Sequence, residues 1–213
     1  MSKEFAAAAY TVGQLNAMIK LIKRQCGEDG PERLLRRELV VSEPFHWRMK
    51  DRIIYFSVTS DGTTGEEWIA RLEAKRGREL DDDAKAVLNH KDFQPSSGVT
   101  TEIAVFPGTF FSNFERTTKG ISFKTRHESM FTPNHEVACL IYEKFTIRDI
   151  EAMGLWDIVV MHEPVKIMSY HMLLKVNGER EKDNTVLSTH IDTPHSIWGT
   201  GHGFAFVISQ SSF

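Results

Sequence analysis

The side chains best suited to chemistry lie close together near the end of the chain, in THIDTPHSIWGTGHGFAF. Imidazole and carboxylate groups are good ligands for zinc or iron. One hypothesis is therefore a metal-dependent hydrolase that uses His190, Asp192, His195 and His202, with His162 as a further ligand. Because no second ligand motif precedes this stretch in the order that metallohydrolase folds require, the sequence favours neither a catalytic metal nor another cofactor.

The remaining reactive residues have simpler interpretations. His162 and Glu163 are neighbours in a predicted strand, where adjacent side chains point to opposite faces, so a structural hydrogen-bonding role is predicted. Cys139 lies on the apolar face of a predicted helix, and Cys26 is far away in sequence, which predicts two free and mostly buried thiols. The motif SDGTTG has neither the lysine nor the spacing of a phosphate-binding loop. No catalytic residue is predicted, and we do not expect an enzyme.

The overall charge and hydropathy exclude several classes of partner. The chain has 26 basic and 29 acidic residues, a formal net charge of −3. It has no basic run with interleaved aromatic residues, so nucleic-acid binding is not expected. No stretch has the length of a membrane span or the pattern of a signal peptide. The sequence therefore predicts no membrane insertion and a cytoplasmic or virion-associated location.

Hydrophobic periodicity predicts the elements that must position these residues. A helix is expected in TVGQLNAMIKLIKRQCG, and three more are expected in TTGEEWIARLEAKRG, DDDAKAVLN and TPNHEVACLIYEKF, followed by a short one in TIRDIEAMG. Strands are expected in RELVVSEPF, DRIIYFSV and GVTTEIAVFPG. Residues 109–133 lack a clear period and predict a long loop with about one helical turn.

Four further strand candidates follow one another without helices between them: LWDIVVMHEPV, SYHMLLKV, NTVLST and GFAFVISQ. Parallel strands would need crossover helices, so this succession predicts antiparallel pairing. A mainly helical first part followed by a run of strands indicates the α+β class.

Several segments together resemble the variable proteins of diversity-generating retroelements, which present hypervariable residues on a C-type lectin fold. They are TSDGTTGEEWIARLEAK, GVTTEIAVFPG, EVACLIYEKF, EAMGLWDIVVMHEP and GFAFVISQ. The resemblance begins near residue 53. It implies a C-type lectin-like domain at 51–213, with two main helices packed on an antiparallel sheet. Residues 1–50 match nothing in that family, and their pattern predicts an N-terminal helix–strand extension. The variable region would lie near 175–203.

The resemblance also divides the C-terminal stretch into an ordered frame and changeable positions between the frame residues. The implied frame is Leu187, Pro194, Trp198, Gly203, Phe204 and Phe206. The implied variable, ligand-binding positions are Ser188, His190, Asp192, His195, Ser196, Gly199, Gly201 and His202, and the turn around Asn177 is a further candidate.

The genetics of that family provide a check within this sequence. Its retroelements randomise adenines in codons that end in a pyrimidine, and such codons do not encode Lys, Glu, Gln, Met or Trp. From Ser188 to His202 none of these five occurs except the frame residue Trp198. The resemblance therefore predicts a non-enzymatic protein that binds another protein or a cell-surface ligand. Only Asp192 offers a carboxylate there, so neither calcium nor carbohydrate specificity is expected.

Overall fold

A computed structural model describes residues 46–76, 80–127, 130–179, 184–193 and 196–212, together with isolated positions before residue 46. The chain divides into two units, Met1–Phe45 and His46–Phe213, and every element given below belongs to the second. The predicted helix and strand of the first 45 residues, Cys26, Pro194 and His195 lie outside the described residues.

The second unit is a mixed α+β structure, which confirms the predicted class. Its strands are β1 (Arg48–Lys50), β2 (Ile53–Asp61), β3 (Ser97–Pro107), β4 (Asp157–Val160), β5 (Val165–Ile167), β6 (Tyr170–Glu179), β7 (Asn184–Asp192) and β8 (His202–Ser212). Its α-helices are α1 (Gly65–Arg76), α2 (Asp82–Leu88), α3 (Thr118–His127), α4 (Glu136–Lys144) and α5 (Ile147–Ala152), and Gly108–Phe110 form a 3₁₀ helix.

The strands form one sheet in the order β1-β2-β3-β8-β4-β6-β5, and β7 pairs with β6. All pairings between the described strands are antiparallel except that of β4 with β8, where Ile158 lies opposite Gly203 and Val160 opposite Ala205. The prediction of antiparallel pairing throughout was therefore wrong for this pair. The reason is that β7 and β8 are not neighbours in the sheet: β6 and β4 lie between them, and β8 starts at the same end of the sheet as β4.

The central strands are buried on both faces. Because successive side chains of a strand point in opposite directions, neighbouring residues enter two different hydrophobic clusters. In β3, Ile103 and Val105 belong to one hydrophobic cluster, while Ala104 and Phe106 belong to another. The first cluster packs against α1, α2, α4 and α5, and the free thiol of Cys139 is buried in it. The second packs against Ile121 of α3 and Trp198. Helices therefore lie on both faces of the sheet. The described residues form more helices than the two main ones that the resemblance implied.

Helix α3 lies in the region predicted to be a long loop, and that prediction was wrong. The sequence TKGISFKTRH is a poor helix by propensity, with two threonines and a glycine, and it has a narrow apolar stripe. The helix is held by its surroundings. Thr117 Oγ1 accepts a hydrogen bond from the Gly120 N–H at 3.1 Å, Lys124 pairs with Glu115 at 3.1 Å, and Ile121 is buried under the sheet.

Candidate binding site

Three of the predicted variable residues lie on one face of β7. Ser188, His190 and Asp192 alternate along the strand and are each partly buried, while Leu187, which precedes them and points to the opposite face, is fully buried. Opposite them on β6 are Lys175, Leu173 and His171, respectively. The β7 face is therefore a row of polar groups supported by a buried strand.

Trp198 joins this row to helix α3. Only 4% of its surface is exposed, and its ring lies 4.1 Å from the ring of His190 and 5.6 Å from that of Phe204. Its backbone N–H donates to the Arg116 carbonyl at 2.7 Å, and its indole N–H donates to Thr118 Oγ1 at 3.3 Å. The Thr118 hydroxyl in turn donates to Asp192 Oδ1 at 2.5 Å. Trp198 thus holds the end of β7 and the 196–201 segment against the sheet.

His202 is oriented by a buried carboxylate that sequence reasoning missed. His202 Nδ1 lies 2.7 Å from Asp157 Oδ1, and the ammonium group of Lys175 lies 3.6 Å from Asp157 Oδ2. Asp157 is 4% exposed, so its charge must be compensated by such partners. A signal was present in the sequence, because Asp157 is a lone acid inside the apolar run LWDIVV.

A second missed residue, Trp156, lies on the solvent side of His202. It is 62% exposed, and its ring centroid is 6.0 Å from that of His202. It borders a cavity of about 380 Å³. Lys175 and Asn177 line the same cavity, and Asn177 Oδ1 accepts a hydrogen bond from Ser188 Oγ at 2.7 Å. Residues of β4 and β6 therefore extend the polar row of β7.

The remaining predicted positions divide by burial. Ser196 is exposed and hydrogen-bonds Thr193, while Gly199 and Gly201 are partly exposed. The predicted frame residues Gly203, Phe204 and Phe206 are buried in the sheet. The structure thus brings His190, Asp192 and His202 together around Trp198. Gly199 lies beside His202, Gly201 lies under Trp156, and Ser188 contacts Asn177.

The proposed metal ligands do not form a coordination group in the described part of the chain. Within it, no three His, Cys, Asp or Glu side chains are grouped to hold a metal ion. The two ring nitrogens of His162 are both engaged: Nδ1 contacts the Glu163 carbonyl at 2.8 Å, and Nε2 accepts from the Leu174 N–H at 2.9 Å. Burial lowers the pKa of His162 to about 3, which keeps this imidazole neutral. His162 also follows β4, which ends at Val160, rather than lying within a strand as predicted.

His190 is also shifted towards its neutral form. Burial, followed by the nearby charges of Lys175 and His202, lowers its pKa. A neutral imidazole packed at a tilt against an indole offers an uncharged contact surface.

Two glycines of the segment test the division between frame and displayed positions. A Cβ at Gly203 would lie 2.6 Å from Leu155 Cδ1 and 2.7 Å from Val105 Cγ1 inside the core, whereas one at Gly199 would be no closer than 3.4 Å to any atom. We expect Gly203→Ala to lower the free energy of unfolding by about 1–3 kcal/mol. Gly199→Ala should change it by about 0.5 kcal/mol or less. Urea denaturation of both variants measures the contrast, and equal losses would contradict it.

No helix among the described residues is long and apolar enough to cross a membrane. No family model matches the chain, and neither a curated protein nor a solved structure matches it. The function must therefore be argued from the site.

Proposed function

We propose that this chain is a non-enzymatic ligand-binding protein that displays hypervariable residues on a C-type lectin-like scaffold and is diversified by a retroelement. The ligand is a protein or another cell-surface group. The binding face comprises the variable positions Ser188, His190, Asp192, Ser196, Gly199, Gly201 and His202, with His195 as a further member.

One observation carries the proposal: the residues assigned to the frame are buried, whereas the residues assigned to the variable positions are at least partly exposed. The described frame residues Leu187, Trp198, Gly203, Phe204 and Phe206 are all buried. Every described variable position is partly or fully exposed. Substitution at exposed positions usually changes stability by less than about 0.5 kcal/mol, so variation there leaves the fold intact and alters what is bound.

The clustering of these positions also supports a binding face. Ser188 of β7 lies opposite Lys175 of β6, and both Lys175 and His202 of β8 contact Asp157 of β4. Strands carry four of the eight positions, and a site on regular elements keeps its shape when individual side chains change.

The C-type lectin-like fold is part of the proposal. It is supported by the mainly antiparallel sheet, by the helices packed on it, and by the central place of the last strand, β8, between β3 and β4. Helix α3 on the second face and the parallel β4–β8 pair depart from the arrangement that was expected from the sequence.

Sequencing tests the proposal directly. We expect independent clones of the coding locus from one source to differ at the eight variable positions and to agree at the six frame positions. A near-copy of the 3′ coding region should lie close by in the DNA as the template. Identical clones without such a repeat would refute diversification by a retroelement.

A further inference from the structure

We infer that residue 201 sets the orientation of Trp156, and that Trp156 is the constant aromatic part of the proposed binding face. The inference rests on the proposed function, because it assumes that position 201 varies. A substitution at position 201 would add a new side chain to the binding face and would also move the side chain of Trp156.

The indole of Trp156 lies directly on the backbone of Gly201. A Cβ built at Gly201 would be 2.3 Å from Trp156 Cδ2, 2.6 Å from Cε2 and 2.7 Å from Cε3. Real Cβ atoms do not approach other heavy atoms so closely, so any residue other than glycine at 201 must displace the ring.

The ring, rather than the backbone, is the part that can move. Trp156 is 62% exposed, so its side chain is not held by a surrounding core. Its backbone is held, because the Trp156 N–H donates to the Gly201 carbonyl at 2.8 Å and the next residue, Asp157, belongs to β4. Gly201 is not among the glycines with positive φ, so its backbone conformation accepts any L-residue. The obstacle at position 201 is therefore the Trp156 side chain.

A displaced indole changes the entrance of the adjacent cavity. Trp156 lines this cavity of about 380 Å³ with Lys175 and Asn177. The Asn177 carbonyl oxygen accepts from Ser188, which leaves its amide N–H groups as donors towards a ligand, while the Lys175 ammonium is paired with Asp157. The carboxylates of Glu151 and Asp157 also line this cavity. This set fits a protein ligand that packs an apolar side chain on the indole and presents a neutral carbonyl oxygen to the Asn177 amide. Tryptophan is among the residues that most often dominate protein interfaces.

The experiment follows the indole N–H signals of the four tryptophans by ¹H–¹⁵N NMR, with Trp156 assigned through Trp156→Phe. We expect Gly201→Ala to shift the Trp156 signal and to leave those of Trp68 and Trp198 in place. Gly199→Ala is the matched control, because its Cβ fits without a clash at 3.4 Å or more from every neighbour, including 3.7 Å from Trp156 Cζ3. It should shift the Trp156 signal much less than Gly201→Ala does.

Thermal melts of a double variant separate ring displacement from backbone strain. Gly201→Ala should lower Tm by about 2–4 °C, the change that corresponds to a mild clash in a domain of this size. The loss should disappear when Gly201→Ala is made in a Trp156→Ala background, since the obstructing ring is then absent. An unmoved Trp156 signal, or a Tm loss that persists in the double variant, would overturn the inference.

These results are distinguishable from failure of the proposed function. A displaced Trp156 combined with identical clones would refute diversification and leave the steric coupling intact. Variable clones combined with an unmoved Trp156 would refute the coupling alone.

Discussion

Trp198→Ala is expected to lower the free energy of unfolding by about 3–5 kcal/mol, enough to unfold a protein of ordinary stability. The indole is 4% exposed and packs on His190, His202 and Phe204, so its removal leaves a cavity between α3 and the sheet. It also leaves the Thr118 hydroxyl without its indole donor. Urea denaturation followed by circular dichroism measures the loss.

The matched control is Trp156→Ala, which removes the same side chain from an exposed position. Because Trp156 is 62% exposed, its loss should cost about 1 kcal/mol or less. The comparison holds the chemical change constant and varies only burial. A harmless Trp198→Ala, or a Trp156→Ala as damaging as Trp198→Ala, would show that the scaffold and the displayed surface have been assigned the wrong way round.

Acidification is expected to destabilise the protein well above the range in which carboxylates titrate. Burial, and then the neighbouring His135, lowers the pKa of His162 to about 3, against an ordinary value of 6.5. Between these values the unfolded state binds the extra proton, so stability falls as pH falls. The slope is about 1.4 kcal/mol per pH unit, or about 2–3 kcal/mol between pH 6.5 and 4.5. Urea midpoints measured at intervals across this range give the slope.

His162→Gln is the control variant for this effect. A glutamine amide can accept from the Leu174 N–H and donate to the Glu163 carbonyl, as His162 does, but it does not titrate. We expect its stability to vary less between pH 6.5 and 4.5. Burial also lowers the pKa of His135, in the same direction, so the slope should be reduced rather than abolished. An unchanged slope in His162→Gln would contradict the assignment.

Other groups with shifted pKa values affect the pH dependence of stability in both directions. Hydrogen bonds from Thr63 and Arg71 lower the pKa of Asp61 to about 2, so the stability that it contributes is lost only below about pH 4. Burial raises the pKa of Glu136, which therefore opposes the histidines, because its folded form holds a proton that the unfolded form releases. We expect a net loss of stability on acidification, because two buried histidines, His162 and His135, oppose the single carboxyl of Glu136.

Secondary structure was predicted best where periodicity is local. The β-branched and aromatic run DRIIYFSV predicted β2, and the helical spacing of Trp68 and Leu72 predicted α1, as the structure confirms. Helix α3 was missed because its stability comes from Ile121 under the sheet and from the Glu115–Lys124 pair rather than from its own propensity.

The sequence by itself determined most of the helices and strands, because these follow from the spacing of side chains along one segment. Tertiary structure alone decided the rest. Trp156 and Trp198 look equivalent in sequence, yet one is 62% exposed and the other 4%. The contacts of Asp157 with Lys175 and His202, and the parallel pairing of β4 with β8, depend on strand register between distant parts of the chain. Register is set by the packing of all the strands together, which no local pattern records.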